Sequence, residues 1–361
     1  MRPLLLFFLT LTLAACASRT PPPVQSQAPA PPPPVTVQPV PPALSAERTA
    51  QPPEILQQEI FELWRAFPGK TGIAVQRIDG RWTISQRGNQ LFPQQSVSKL
   101  WVAMTILDKV DRGEIDLDDP VQIGRDDLTL FHQPLAARVA REGAITETVL
   151  SLLEQAITMS DNSANDALLR HAGGPDAVRD FIRRKELGAI RFGPGERLLQ
   201  SSIAGLEWQQ QLSSGRAFQA ARAKLPLELR KERLNAYVDD PIDGASPEAI
   251  VDALARLARQ DLLSASSTRL LMDILSRTRS GPNRLKAGVP SDWQFMHKTG
   301  TGQDLPPVST GYNDVGIMIA PDGTRYAVAV MLAETTAGIP ARMELMQSVT
   351  RAVARAHRSG N

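Results

Sequence analysis

The chain has 361 residues, which is enough to bury one large core or two intermingled ones. Apolar residues make up 42% and charged residues 22%, ordinary values for a globular protein. A formal net charge of +2 is too small to support binding to a polyanion, and 5% aromatic residues disfavours stacking on bases. We therefore expect a globular protein with no nucleic-acid partner.

The first sixteen residues have the pattern of an export signal. A positive start is followed by an apolar run at residues 4–13, too short for a bilayer span of roughly 20 residues. The run ends in Leu-Ala-Ala-Cys, which is similar to the lipobox of bacterial lipoproteins. A plain signal peptide with an incidental cysteine is the alternative. Because Cys16 is the only cysteine, we expect removal of residues 1–15, lipidation of Cys16 and no disulfide.

Residues 16–53 are predicted to be a tether that follows the lipid anchor. Eleven prolines lie between Pro21 and Pro42. Such a segment favours extended polyproline conformation, at about 3.1 Å per residue, so it reaches on the order of 100 Å. We expect an exported, periplasmic protein held on a membrane by its lipid. Ala17 and Ser18 offer no inner-membrane retention signal, which favours the outer membrane.

The rest of the chain, residues 54–361, is predicted to form one catalytic domain. A helix at 54–66 precedes a hairpin at 71–79 and 81–87, and further strands follow at 294–299, 313–319 and 326–332. A helix at 341–356 closes the chain. This order predicts an α/β fold in which an antiparallel five-stranded sheet, built from residues 54–93 and 285–361, is flanked by helices. An all-α part at 94–284 is inserted into it.

Ser96 and Lys99 begin the most apolar predicted helix, which runs from residue 96 to 111. Their spacing puts both side chains on one face of that helix, one turn apart. A serine hydroxyl needs a nearby base to become a nucleophile, and a buried lysine at a helix N-terminus can serve. Taken alone, this pair is more often a helix-capping serine beside a solvated lysine.

Two further motifs favour the catalytic interpretation. Ser160-Asp161-Asn162 lies between predicted helices at 146–159 and 164–171, and Lys298-Thr299-Gly300 ends a predicted strand. A second Lys-Thr-Gly occurs at residues 70–72. It precedes Ser96, the wrong order for this chemistry, so we interpret it as the entry to a strand.

Ser-x-x-Lys, Ser-Asp-Asn and Lys-Thr-Gly in this order resemble the signature of class A β-lactamases and penicillin-binding proteins. The resemblance extends over residues 54–361. It implies that Ser96 attacks the acyl carbonyl, that Lys99 assists removal of its proton, and that Ser160 relays a proton to the leaving nitrogen. The binding residues it implies are Asn162 for the substrate amide, Lys298, Thr299 and Gly300 for the substrate carboxylate, and Ser96 and Thr301 for the oxyanion hole. Arg342 is a further candidate contact for the carboxylate.

The resemblance also implies a glutamate that activates the deacylating water. Counting from Ser160 without a gap, that position falls on Glu196, and Gln200 replaces the asparagine that helps to hold the water. The neighbouring sequence departs from the family pattern, so an ordinary loop glutamate is the alternative, with Glu207 as a fallback. Residues 201–243 are longer than the usual loop and include a basic segment, 216–233, predicted to be a solvated helix.

Three functions follow from these motifs. The first is a serine β-lactamase, the second is a peptidoglycan D,D-peptidase that β-lactams inhibit, and the third is a silent cell-wall-binding lipoprotein. The expected partners are β-lactams or peptidoglycan peptides, and the expected state is a monomer. No cofactor is implied, and the four histidines lack metal-ligand spacing, so we expect no metal. His297 is predicted to line the site from its strand.

Overall fold

The computed structural model describes residues 51–80 and 82–359. The predicted signal peptide, Cys16 and nearly all of the tether lie outside these residues. Within the described part of the chain, no helix is both long and apolar enough to span a membrane. The strands in that part are β1 (Lys70–Arg77), β2 (Thr83–Gln86), β3 (Pro120–Gly124), β4 (Ala144–Thr148), β5 (Gln294–Gly300), β6 (Asp304–Leu305), β7 (Val308–Ile319) and β8 (Arg325–Thr335).

Twelve α-helices lie in the same described residues. They are α1 (Glu54–Ala66), α2 (Lys99–Asp111), α3 (Ala136–Glu142), α4 (Val149–Glu154), α5 (Asn162–His171), α6 (Pro175–Arg184), α7 (Glu196–Ala204), α8 (Gly215–Ala223), α9 (Leu227–Asp239), α10 (Pro247–Ala258), α11 (Ala265–Ser276) and α12 (Ile339–Ser359).

The main sheet has the strand order β2-β1-β8-β7-β5, with the short β6 paired to β7. All of its pairings are antiparallel, so the predicted antiparallel sheet built from both chain ends is confirmed, with the two-residue β6 as a sixth strand beyond the five predicted. Alternate residues of β8 face two different apolar clusters. Ala327, Ala329 and Met331 pack on the side of α2 and α10, whereas Val328 and Val330 pack on the side of α1 and α12. The sheet is therefore covered on both faces.

The helical part of the fold is built around α2. Every residue of α2 from Lys99 to Asp108 is buried, which explains why its sequence is apolar on nearly every side. This helix starts later than predicted, because Gln95–Ser98 form a separate 3-10 turn ahead of it. The Trp101 indole donates to Gln94 Oε1 over 2.6 Å and so fixes the turn against the helix.

The part predicted to be all-α also contains a small sheet. β3 and β4 pair antiparallel over five residue pairs, and β4 occupies residues that were predicted to begin a helix. Its sequence, Ala-Ile-Thr-Glu-Thr, has the alternation and the β-branched residues of a strand. The helical prediction failed there because the neighbouring apolar run at 149–154 obscured the boundary.

A long connection separates α6 from α10. It leaves and rejoins the fold at one point, where Ile190 and Ala245 form an isolated bridge and the Arg191 N–H donates to the Gly244 carbonyl over 2.8 Å. Helices α7, α8 and α9 lie within it. The predicted single basic helix at 216–233 is in fact split, since Pro226 cannot continue α8 and instead precedes α9.

Candidate active site

Ser96 lies on the 3-10 turn directly before α2, where its position is fixed by buried neighbours. The Gln95 N–H donates to Asp243 Oδ2 over 2.8 Å, and the Gln94 side chain donates to the carbonyls of Arg191 and Asp243. The turn is thus tied to both ends of the long connection. Lys99 Nζ donates to Ser96 Oγ over 2.9 Å, as the spacing of the two residues predicted.

Lys99 is fully buried and has three hydrogen-bond partners. Its ammonium donates to Ser96 Oγ, to Asn162 Oδ1 over 2.9 Å, and to the Glu196 carboxylate, with which it forms a salt bridge. An ammonium has three N–H groups, so this set of partners uses all of them. Ser96, Lys99 and Glu196 therefore form one continuous hydrogen-bonded chain.

Glu196 is the first residue of α7, and two features fix its place. Its N–H donates to Asp166 Oδ1 over 3.1 Å, and Gly195 before it has φ +99°, a conformation that favours glycine. The Gln200 amide lies 3.5 Å from Glu196 Oε2, on the same face one turn along. The fallback candidate Glu207 is exposed and lies outside the cavity.

Ser160 and Lys298 approach each other from opposite walls of the site. Ser160 ends a π-helical turn (Gln155–Met159) in the left-handed conformation, with φ +58°, and Lys298 Nζ donates to its hydroxyl over 2.9 Å. Burial, followed by the nearby charge of Lys99, lowers the pKa of Lys298 well below its usual range. Asp161 caps α5 through the Ala164 N–H and accepts from the Leu135 N–H, so the motif is held on both sides.

The end of β5 contributes the residues that the resemblance assigned to carboxylate binding. Thr299 Oγ1 and Ser280 Oγ are 2.7 Å apart, and Thr301 follows in an exposed position. A Cβ at Gly300 would lie 2.3 Å from the Gln94 carbonyl oxygen. Glycine is therefore required for the end of β5 to approach the turn that carries Ser96 closely.

Arg284 is a buried cation that the sequence analysis did not single out. Its guanidinium donates to the carbonyls of Gly300 and Asn313 over 2.8 and 2.7 Å and to Thr301 Oγ1 over 2.7 Å. It also lies 3.7 Å above the centre of the Tyr312 ring. Asp166 and Ser280 were missed as well. None of these three residues belongs to one of the three motifs, which is why the sequence analysis did not select them.

Two residues lie elsewhere than expected. Arg342 donates to the Ala337 carbonyl and to Ser309 Oγ, lies 5.4 Å from the centre of the Tyr312 ring, and does not line the cavity. The structure therefore gives it the role of bracing the start of α12. His297 does not line the cavity either. Its buried ring contacts Asp314 at 2.9 Å.

A cavity of about 670 Å³ opens over these groups. The predicted site residues on its wall are Ser96, Ser160, Asn162, Glu196, Gln200, Thr299 and Thr301. Lys99 and Lys298 lie fully buried behind it. The first Lys-Thr-Gly begins β1, as predicted for a strand entry, and its Lys70 donates to the Val238 carbonyl instead.

Comparison with known proteins places this arrangement in a family. The model of the β-lactamase enzyme family matches residues 54–357. The extended-spectrum β-lactamase PER-1 of Pseudomonas aeruginosa is 26% identical over 294 residues, 81% of this chain and 83% of the relative. The β-lactamase VEB-1 of the same organism is 24% identical, over 78% of this chain and 83% of its own.

Solved structures agree with this assignment. A class A β-lactamase from Bacteroides cellulosilyticus superposes with a TM-score of 0.69 at 23% identity, over 85% of this chain and 98% of that one. An ancestral class A β-lactamase is 29% identical with a TM-score of 0.66, over 83% and 99% of the two chains. The chain therefore belongs to the β-lactamase enzyme family and has the class A fold, which makes it a hydrolase of the class that its three motifs predicted.

Proposed function

We propose that the protein is a serine β-lactamase that opens β-lactams through an acyl-enzyme on Ser96, which water activated by Glu196 then hydrolyses. The observation that carries the proposal is the unbroken chain from Ser96 Oγ through Lys99 Nζ to the Glu196 carboxylate, on the floor of the cavity. A nucleophile within hydrogen-bond reach of a base, with a third group on the base, is the pattern of activated acyl transfer.

The acylation step begins with Lys99. With all three N–H groups donated it is an ammonium, so it becomes a base only by passing a proton to Glu196. The neutral amine then takes the Ser96 proton as Oγ attacks the lactam carbonyl. When the C–N bond breaks, Ser160 gives its proton to the ring nitrogen and regains one from a neighbouring lysine. Lys298 is suited to that exchange because burial lowers its pKa.

Before deacylation, Glu196 releases to solvent the proton that it took from Lys99, and Lys298 regains one from solvent, so that Glu196 is again a carboxylate. Glu196 then takes a proton from the water that attacks the Ser96 ester, Ser96 leaves with a proton from Lys99, and Lys99 regains that proton from Glu196. The Gln200 amide, 3.5 Å from Glu196 Oε2, supports a position for that water beside the carboxylate. Developing charge on the carbonyl oxygen meets the N–H groups of Ser96 and Thr301, where one such donor typically contributes about 3 kcal/mol.

Substrate binding divides between two walls. Thr299, Gly300 and Thr301, with the buried charge of Lys298 behind them, face the carboxylate of the substrate, and Arg284 holds Thr301 in place. Asn162 is the residue that faces the acyl amide. Its Nδ2 donates to the Leu130 carbonyl over 2.8 Å and its Oδ1 accepts from Lys99, so its side chain is held in one orientation.

A nitrocefin time course with the wild type, Ser96→Ala and Glu196→Gln tests this function. We expect sustained turnover by the wild type, none by Ser96→Ala, and a single burst by Glu196→Gln. Mass spectrometry of the Glu196→Gln protein should show the acyl group retained on Ser96. A wild type that gives only one burst would contradict the proposal and favour the D,D-peptidase. Failure of any β-lactam to label Ser96 would favour a silent binding protein.

We also propose that the protein is an exported monomer, anchored by lipid at Cys16 and directed to the outer membrane. Metabolic labelling with a clickable fatty acid, compared between the wild type and Cys16→Ser, tests the anchor. Membrane fractionation tests its location, and sedimentation velocity of a protein starting at residue 48 tests the monomer.

A further inference from the structure

The long connection supplies one wall of the cavity. Phe218 of α8 packs edge-on against Phe131, with ring centres 5.0 Å apart, and it shares a buried apolar cluster with Leu130. The Leu130 carbonyl is the group that fixes Asn162. Helix α8 therefore covers the cavity next to the residue proposed to hold the acyl amide, and Gln219 and Arg222 of α8 line the cavity.

Arg222 is a buried cation that makes no ion pair with the described residues. Only 7% of it is exposed, and it makes no ion pair within residues 51–80 and 82–359. One N–H of its terminal nitrogen donates to the Asp304 carbonyl oxygen over 2.9 Å, while Nε is buried with no partner. Asp304 is exposed on the cavity wall, and its charge acts to raise the pKa of Arg222, but no ion pair joins the two side chains.

The surroundings increase the cost of this charge. Arg230 of α9 is close enough for its charge to act on Arg222, and together with burial, the larger effect, it lowers the pKa of that guanidinium. An unpaired buried charge is costly, and a guanidinium with free N–H groups binds carboxylates in a bidentate manner. An anion that binds to Arg222 from the cavity would therefore offset the free-energy cost of burying this charge.

We propose that Arg222 forms a second anion subsite in the cavity, which binds a carboxylate on the acyl side chain of the substrate. It lies on a different element from the β5 residues that face the carboxylate of the lactam ring system. The proposal rests on the proposed function and deepens it: the preferred substrates are β-lactams that bear a second carboxylate next to the acyl amide.

Carbenicillin and benzylpenicillin form a matched pair for the test, since they differ by one side-chain carboxylate. We expect Arg222→Gln to raise the KM for carbenicillin about tenfold or more, the loss expected for a charge-assisted contact, and to change that for benzylpenicillin less than threefold. Arg216→Gln, an exposed arginine on the same helix, is the control and should change neither. Arg222→Lys keeps a cation there and should give an intermediate increase.

The two proposals fail in different ways. If the wild type turns over neither penicillin, the proposed hydrolysis fails, and the subsite is then tested by the rates at which the two compounds acylate Ser96. If Arg222→Gln folds, as judged by its melting temperature, and affects both penicillins equally or neither, the subsite is overturned. If Arg222→Gln does not fold, Arg222→Lys decides: an equal change for both compounds overturns the proposal, and a selective loss for carbenicillin supports it.

Discussion

The Glu196 N–H donates to Asp166 Oδ1 over 3.1 Å, so the Asp166 carboxylate fixes the backbone of the residue that carries the Glu196 carboxylate. Burial, followed by the charge of Glu196, raises the pKa of Asp166. We predict that Asp166→Ala slows deacylation about tenfold while acylation is retained, because Glu196 loses its backbone anchor. Asp166→Asn keeps an acceptor oxygen and should stay within threefold of the wild type. Stopped-flow burst kinetics separates the two steps, and an equal loss in both would contradict this role.

Lys99 compensates the buried charge of Glu196. Lys99→Met leaves that carboxylate unpaired, so we predict a loss of about 3–5 kcal/mol in the free energy of unfolding at pH 7. Adding Glu196→Gln removes the orphaned charge and should recover part of this loss. Urea denaturation of the wild type, both single variants and the double variant measures the coupling. If the double variant is no more stable than Lys99→Met, the pair does not act as described.

Asp243 links stability to pH. Burial raises its pKa to about 6, against 3.8 for an ordinary aspartate, although it accepts from the Tyr237 hydroxyl and the Gln95 N–H. The folded state therefore holds this proton more tightly than the unfolded state. Its contribution to stability is full below about pH 4 and declines as pH rises to about 6, by about 3 kcal/mol at 1.36 kcal/mol per unit.

Asp243→Asn isolates this effect. The stability advantage of the wild type over Asp243→Asn should shrink between pH 4 and pH 7, as followed by urea midpoints at several pH values. Asp252→Asn, a carboxylate on α10 outside this network, serves as the control and should show no such convergence. A stability difference between the wild type and Asp243→Asn that stays constant or grows with pH would contradict a raised pKa of Asp243.

Arg284 and Arg342 both lie over Tyr312, 3.7 and 5.4 Å from the ring centre, and of the two only Arg284 lines the cavity. Arg284→Ala should raise the KM for benzylpenicillin about tenfold or more. It should also cost about 2 kcal/mol of stability, since two buried carbonyls lose their donor. Arg342→Ala should lower stability and leave KM unchanged. Steady-state kinetics and thermal denaturation of both variants test this, and a raised KM for Arg342→Ala would restore it as a binding residue.

The sheet was predictable because both of its ends have clear alternation and its turns carry Asp-Gly pairs. The three motifs led to Ser96, Lys99, Ser160 and Lys298, which the structure brings together in two hydrogen-bonded pairs, since order along the chain constrains chemistry more than any single tripeptide. Arg342 lies away from the cavity because its hydrogen bonds go to Ala337 and Ser309, partners that no sequence pattern indicates.

The long connection was the least predictable part. Its helices are short and mostly polar, and their packing on Phe131 depends on residues more than eighty positions away. Arg222 looked like one more solvated arginine in a basic segment, and only tertiary packing shows that it is buried. Likewise, Asp166 anchors Glu196 across thirty residues, a contact with no periodic signal.

The bridge between Ile190 and Ala245 makes residues 191–244 a closed loop, because the two ends of this segment lie next to each other. The entropy of closing such a segment grows slowly, by about 0.6 kcal/mol for each doubling of its length. Changes in the length of α8 and its flanking loops therefore cost little closure entropy, whereas α9 must keep Tyr237 and Val238, which contact the turn that carries Ser96 and the start of β1. Substrate preference in this fold is thus free to evolve by changes in α8, while Ser96 and Lys99 stay on a scaffold that does not change.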